Sequence, residues 1–309
     1  MTDSIILHHY EASPYAEKVR LLFGLSQLPW QSLLCPVQPP RPNLDPLTGG
    51  YRRIPVAQIG ADIFCDTALI ARELARASQN PALDPSQVPA EATALMELAE
   101  KKAFFAAIGA VKPLRLLGTM LLQFGPLGTY RFVKDRTGLL KGGTVRPAQG
   151  AKAQAVLDEL LSTLEKRFSQ QAWVGGDAAS IADFAVYHPL WLHVSCNRRP
   201  LNCGPKTQDW YQRVGLIGHG PRQEIQSTQA FSAAREAEPR PLPSSVDNPP
   251  VALGSAVEVA PADYGIRAVQ GRLAALTEDR IILARQTEDF GLLHVHFPRE
   301  GYSLTATRA

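Results

Sequence analysis

The stretch HHYEASPYAEKVRLLFGL, residues 8–25, changes pattern at Ser13-Pro14. Before it, the apolar run Ile5-Ile6-Leu7 leads into His8 and reads as a short strand. After it, Tyr15, Val19, Leu22 and Phe23 recur at i, i+4, i+7 and i+8, the spacing of one helix face. Serine followed by proline is a favoured helix start in its own right. The hydroxyl accepts from an orphan backbone N–H, and proline at the first helical position lacks only a donor that has no partner there anyway. A hydroxyl at a helix end also sits among free N–H groups and partial positive charge, where a thiolate is stabilised. Ser13 therefore has two readings, cap and chemistry, and one does not exclude the other.

Outward from this stretch, residues 1–80 read as mixed α/β. Pro36 to Pro46 (PVQPPRPNLDP) is too rich in proline for regular structure. Ile54–Ile59 and Asp62–Cys65 flank Gly60-Ala61 as a hairpin with a two-residue turn. Asp66 or Thr67 then caps a helix through Ala77. The order is β, α, β, β, α, with a further strand near Gln31–Cys35. Residues 81–87 form a linker, and 88–238 are helical throughout. Leu157, Leu160, Leu161, Leu164 and Phe168 make the clearest helical stripe. After Trp173-Val174-Gly175-Gly176, Ser180 caps a helix with Asp183 at its third position, and Pro189 is expected to kink or end it.

Pro239 to Pro250 (PRPLPSSVDNPP) is the sharpest compositional break, a second linker. Beyond it, residues 251–309 hold short strands at Val257/Val259, Val269–Leu276, Ile281–Arg285, Leu292–Phe297 and Tyr302–Thr305, separated by turns. They suggest a small, barrel-like β-module. Leu293, Val295 and Phe297 alternate with His294 and His296, which predicts a strand with one wet face.

Bulk properties narrow the function. The chain of 309 residues is 45% hydrophobic and 20% charged, as expected of a soluble protein of two or three domains. A net charge of +3 with no dense basic block does not suggest nucleic acid. Cys35, Cys65, Cys196 and Cys203 are scattered, without zinc-type spacing, which fits a reducing compartment. His294 and His296 share a face but have no third ligand nearby in sequence, so no metal is expected. The N-terminus lacks a secretory pattern, and the apolar segment Leu114–Gly128 is broken by Arg115, Gln123 and Pro126. A cytoplasmic protein that does not enter membranes is expected.

Four features in order carry a family resemblance. They are Y-x-x-S-P-Y-A-x-K-V-R at Tyr10–Arg20, R-R-I-P-V at Arg52–Val56, Asp66-Thr67 followed by A-L-I-A-R-E-L, and W-V-G-G-D before the Ser180–Asp183 box. Residues 1 to about 238 thereby resemble the cytosolic glutathione transferases, with a thioredoxin-like first domain and an all-α second one. The β-module is not typical of that family. The resemblance implies glutathione as co-substrate, no metal, and a homodimer. It implies that Pro55 is cis and exposes the Ile54 backbone to the cysteinyl residue of the tripeptide. The γ-glutamyl carboxylate would meet Thr67, and Asp66 would help hold the α-amino group, although family members commonly carry Glu or Gln then Ser here. Arg52 or Arg53 would take the glycyl carboxylate, since a planar guanidinium binds carboxylate bidentately. Ser13 would stabilise the thiolate, and Tyr10 is a second candidate donor. Serine in place of cysteine points to thiolate activation and away from disulfide exchange.

A small apolar electrophile would lie against Phe104, Phe105, Leu116, Leu117, Met120, Leu121, Phe124, Tyr130 and Phe132. Lys134, Asp135 and Arg136 read as a solvated charge cluster. Each motif also has a plain explanation: a strand-start proline at Pro55, helix caps at Ser13 and Asp66, surface arginines at 52 and 53. Two other functions stay open, a glutathione-dependent isomerase or dehalogenase and a non-catalytic binding or regulatory protein that meets a partner through the β-module.

Overall fold

The structure, a computed structural model, describes residues 4–307. β1 (Ile5–His9) is buried along its length and ends one turn before α1 (Pro14–Ser26). Ser13 is extended (φ −80°, ψ 118°), and its Oγ accepts from the Ala16 N–H at 3.2 Å. α1 buries Val19, Leu22 and Phe23, as their spacing predicts, and stops at Gln27 in the left-handed region. β2 (Trp30–Leu34), the one-turn α2 (Asp45–Thr48), β3 (Val56–Ile59), β4 (Asp62–Cys65) and α3 (Thr67–Ser78) complete a thioredoxin-like domain.

Register is what positions the site. β1 pairs parallel with β2 and antiparallel with β3, His8 opposite Val56, while β3 sets Val56 opposite Cys65. The chain leaving β1 toward Ser13, Pro55 entering β3 and Asp66 leaving β4 therefore meet at one end of the sheet.

The helical domain opens with α4 (Ala90–Glu97), a π-helical segment at Leu98–Ala103 and α5 (Phe104–Gly109). α6 (Pro113–Leu140) is broken at Gly125, whose φ of 67° no helix contains. α7 (Gly150–Phe168) buries the expected leucine stripe. α8 (Ile181–Asn197) starts with the expected capping box. Asp183 accepts from Ser180 N–H at 3.0 Å and from Val174 N–H and Trp210 Nε1–H at 2.8 Å each, tying the Trp173–Gly176 turn to α8 and α9 (Pro205–Leu216). Burial pushes its carboxyl pKa up against these donors. α8 does not end at Pro189 but continues past it for two more turns. β5 (Arg222–Glu224), missed in the sequence, adds a parallel edge to β2 before α10 (Ser227–Glu236). Among the described residues no single helix is long and apolar enough to cross a membrane.

The C-terminal strands are β6 (Ala256–Pro261), β7 (Val269–Leu276), β8 (Arg280–Thr287), β9 (Gly291–Pro298) and β10 (Tyr302–Ala306). β6 to β9 form an antiparallel meander, and β10 returns to pair with β6. This region does not stand apart. β9 pairs parallel with β4, Ile63 opposite Val295, giving one ten-stranded sheet in the order β10-β6-β7-β8-β9-β4-β3-β1-β2-β5. Val56, Ile63 and Cys65 share a core with Val257, Leu283, Val295 and Phe297. Each such side chain contributes about 1.5–3 kcal/mol on burial, against at most about 1 kcal/mol for an exposed ion pair, so apolar packing dominates the junction. The strand face expected to be wet is buried too. His296 stacks on Phe64 and bonds Asp62 Oδ1 at 2.7 Å, and His294 lies 3.9 Å from the same oxygen.

Candidate functional site

At the shared strand end, Ser13 is only 1% exposed. Its oxygen accepts from Ala16, which leaves the hydroxyl proton free to be donated. The Ile54–Pro55 peptide is cis, and both residues are buried. Asp66 caps α3 by accepting from the Ala68 N–H at 3.0 Å. It does so at φ 82°, a conformation that costs a non-glycine residue of order 1–3 kcal/mol and persists only where the surroundings hold it.

Those surroundings come from β10. Tyr302 Oη donates to Asp66 Oδ2 at 3.2 Å, and its oxygen is 2.5 Å from Tyr51 Oη. With the Tyr302 proton committed to the carboxylate, Tyr51 donates to Tyr302. Thr67, also buried, accepts from Lys18 Nζ at 3.4 Å. Lys18 is 2% exposed and pairs with Glu100 at 2.6 Å, and His188 Nε2 lies 3.5 Å from the same carboxylate. Burial alone would raise the Glu100 pKa; Lys18 and His188 together bring it down to about 2. α1, α3 and the π-helical segment are joined at this point by Lys18, and Glu100 extends the link to α8 through His188.

The two arginines part company. Arg52 Nη2 donates to both oxygens of Asp135 at 2.6 Å. Arg136 Nη2 donates to Tyr10 Oη at 3.1 Å. Of the charges at 134–136, Lys134 is solvent-exposed as expected, but Asp135 and Arg136 are not: they tie α6 to the first domain. Tyr10 packs against the core shared with the β-region. Arg53 pairs with Asp263 and donates to the Tyr264 carbonyl oxygen at 2.7 Å, with its guanidinium 4.2 Å above the Tyr264 ring. Its Nη1 is 3.9 Å from Asp66 Oδ2.

Asp263 and Tyr264 belong to the β6–β7 connection, residues 262–268, which crosses the site as a strap. Thr144 N–H donates to the Asp263 carbonyl oxygen at 2.8 Å, and Gly265 N–H to that of Leu139 at 2.7 Å. A side chain at Gly143 would come within 2.1 Å of the Asp263 oxygen, so only glycine permits this approach. The Tyr264 ring stands edge-on to Phe105, 5.6 Å between centroids. Burial, with Tyr264 the second cause, raises the Tyr15 pKa well above the ordinary phenol value. Phe104 packs on Tyr15 at 4.6 Å, whereas Leu117, Leu121 and Tyr130 of the expected apolar wall are exposed.

The sequence therefore brought Ser13, Ile54, Pro55, Asp66, Thr67 and Arg53 to one place, with Arg52 and Tyr10 turned toward α6. It missed Lys18, Glu100, Asp263, Tyr264 and Tyr302. Lys18 lay inside the quoted motif as a charge in mid-helix; the others are far from it in sequence and carried no local signal.

A thioredoxin-like domain joined to an all-helical one, with such a strand-end site, defines the architecture of a glutathione transferase. A model of the glutathione S-transferase N-terminal domain matches residues 7–82, and one of the C-terminal domain matches residues 128–215. A GST-like protein from Pseudomonas syringae is 30% identical, with 98% of this chain and 99% of that one covered and a TM-score of 0.73. That likeness runs through the C-terminal strands, beyond the linker where the sequence resemblance stopped. A delta-class glutathione transferase from Nilaparvata lugens shares the fold at 15% identity, covering 70% of this chain and 90% of that one, TM-score 0.51. Among curated proteins there is no match. The chain belongs to the glutathione S-transferase family.

Proposed function

We propose that the protein is a glutathione-dependent transferase in which Ser13 stabilises the glutathione thiolate for attack on a small apolar electrophile. The observation that carries this reading is the meeting of Ser13, Ile54-Pro55 and Asp66-Thr67 at one end of three paired strands. The free Ser13 proton and the first-turn N–H groups of α1 would lower the thiol pKa, and the thiolate sulfur would form the new bond as the electrophile's leaving group departs. The γ-glutamyl carboxylate would lie at the start of α3, where Thr67 and the helix N–H groups favour an anion. The α-amino group would take over Asp66 Oδ2 from Tyr302, and the glycyl carboxylate would take over Arg53 from Asp263. A homodimer belongs to this reading, supported by the exposure of Leu114, Leu121 and Leu122 on α6.

The test is calorimetric titration with glutathione, together with the ultraviolet thiolate absorbance of the complex against pH, in the wild type and Ser13→Ala. Binding, with a thiol pKa depressed in the wild type and restored in the variant, supports the reading; no binding at millimolar glutathione ends it. A glutathione-dependent isomerase or dehalogenase would use the same thiolate and be told apart by its product.

A second reading is a binding protein without turnover. The internal satisfaction of Asp66 and Arg53 by Tyr302 and Asp263 favours it. Glutathione that binds with an unshifted thiol pKa, and no conjugation of halogenated or conjugated-carbonyl electrophiles, would select it.

A further inference from the structure

Beside the candidate thiol site, Arg52, Arg131, Lys134 and Arg267 line a cleft of about 570 Å³ between α6, the Gln38-Pro39 turn and the 262–268 strap. A cleft of that size takes a small organic molecule. Its one acidic lining residue, Asp135, is already held by both of its oxygens to Arg52. Among the described residues, Arg131, Lys134 and Arg267 have no carboxylate within ion-pair distance.

The wall behind the cleft adds to the imbalance. Arg41 is 1% exposed, and its guanidinium meets only carbonyl oxygens, those of Pro36 at 3.0 Å, Arg52 at 2.8 Å and Val37 at 3.1 Å. Burial first, then the charges of Arg52 and Arg136, lower its pKa. Among the described residues no carboxylate pairs with this guanidinium, and Asp45 accepts from the Arg41 backbone N–H instead, at 2.9 Å. A buried cation so placed, next to more cations, is an arrangement that folding alone does not favour. An anion in the cleft relieves it. Pro39, Leu139 and Ile266 supply apolar surface between the charges, which suits an organic body rather than a bare ion.

We propose that this cleft binds a small organic dianion, a dicarboxylate or a phosphate monoester, through Arg131, Lys134 and Arg267 against Pro39, Leu139 and Ile266. Both ligand types share the chemistry that arginine forks recognise, paired oxygens carrying negative charge. The charge count sets the ligand apart from the glycyl end of a tripeptide, which offers a single carboxylate to Arg52 or Arg53 and leaves the other three cations unmatched. The proposal does not depend on the role given to Ser13.

The test is titration calorimetry of the full-length protein at low salt, with saturating glutathione and without it. The probes are phthalate as dicarboxylate, phenyl phosphate as phosphate monoester and benzoate as the monoanionic control. One or both dianions are expected to bind at one site per chain, about ten-fold tighter than benzoate, and to weaken as salt is raised. Whichever dianion binds tighter identifies the head group. Arg131→Ala with Arg267→Ala is expected to cost at least about ten-fold in dianion affinity, and Arg267→Glu to abolish binding, with thermal unfolding unchanged for these exposed positions. Equal affinity for benzoate and the dianions, no saturable binding, or an unchanged affinity in both variants would overturn the proposal. So would strict competition between phthalate and glutathione, which would make the cleft an extension of the tripeptide site.

Discussion

Arg53 and Asp263 are paired across 210 residues of sequence, the first preceding the cis-proline and the second carried on the strap between β6 and β7. One ion pair thus couples the C-terminal strands to the candidate thiol site. Asp263 is 45% exposed, so solvent screens the pair and its worth is at most about 1 kcal/mol. If Asp263 holds the guanidinium that a ligand carboxylate needs, Asp263→Asn should tighten glutathione binding by about two- to five-fold. Titration calorimetry reads this directly, and weaker binding in the variant would show that Asp263 helps the ligand instead of competing with it.

Ser13 has two jobs that mutation can separate. Its bond to Ala16 caps α1, and loss of such a cap to alanine costs about 1 kcal/mol, but to glycine only a few tenths. Ser13→Ala and Ser13→Gly both remove the hydroxyl. If that hydroxyl stabilises the thiolate, both variants should lose at least about ten-fold in conjugation rate while differing in stability. A rate that tracks the melting temperature, with Ser13→Gly close to wild type, would leave Ser13 as a cap alone.

Local chemistry explains what the sequence revealed. Ser13-Pro14, Asp66-Thr67 and the Ser180–Asp183 box are signals because a helix start must satisfy its own N–H groups with nearby residues. Leu157 to Phe168 is legible because a buried helix face repeats at a fixed spacing. Tyr302, Tyr264 and Asp263 obey no such rule. Their partners Asp66 and Arg53 lie more than two hundred residues away, and nothing near them marks the contact. His294 and His296 misled for a related reason. Alternation with apolar residues says that a strand has two different faces, not that the polar one meets water, and here that face closes on Asp62 and Phe64.

That junction should be sensitive to Asp62, the acid buried at the pairing of β4 with β9. Asp62 is 1% exposed and accepts from His296 and from the Arg240 backbone N–H at 2.9 Å, with the Arg240 Nε 3.5 Å away. Burial pushes its pKa up, and these donors bring it below the ordinary carboxylate value. Asp62→Ala leaves the buried His296 and the Arg240 backbone N–H without their acceptor, while the half-exposed Arg240 guanidinium keeps Glu73, and should cost about 1–3 kcal/mol. Asp279→Ala, which removes a 36%-exposed partner of Arg72 and Arg280, should cost less than about 1 kcal/mol. Urea unfolding of both variants compares the two positions. Similar losses would mean that the junction is wetter than the packing of β4 on β9 indicates.

Acid should unfold the protein early, because two histidines in β1 are buried in neutral form. Burial lowers the His8 pKa to about 4, and burial with the charge of Arg20 lowers that of His9 to about 3. His8 Nε2 donates to Gln58 Oε1 at 2.9 Å; the Gln58 amide is oriented by donating to Gly60 and Ala230, so that oxygen is fixed as the acceptor. In the unfolded chain both imidazoles titrate near 6.5. Below that pH the unfolded state binds protons that the folded state excludes, so stability is complete above about 6.5 and falls as pH drops toward 4. Two protons correspond to a slope near pH 5 of about 2.7 kcal/mol per pH unit. His8→Gln keeps a donor facing Gln58 but cannot titrate, and should reduce the slope by one proton's worth, about 1.4 kcal/mol per pH unit. Urea unfolding at pH 7, 6 and 5 measures both slopes; an unchanged slope in the variant would mean that His8 is protonated in the folded state and that β1 is not closed to water.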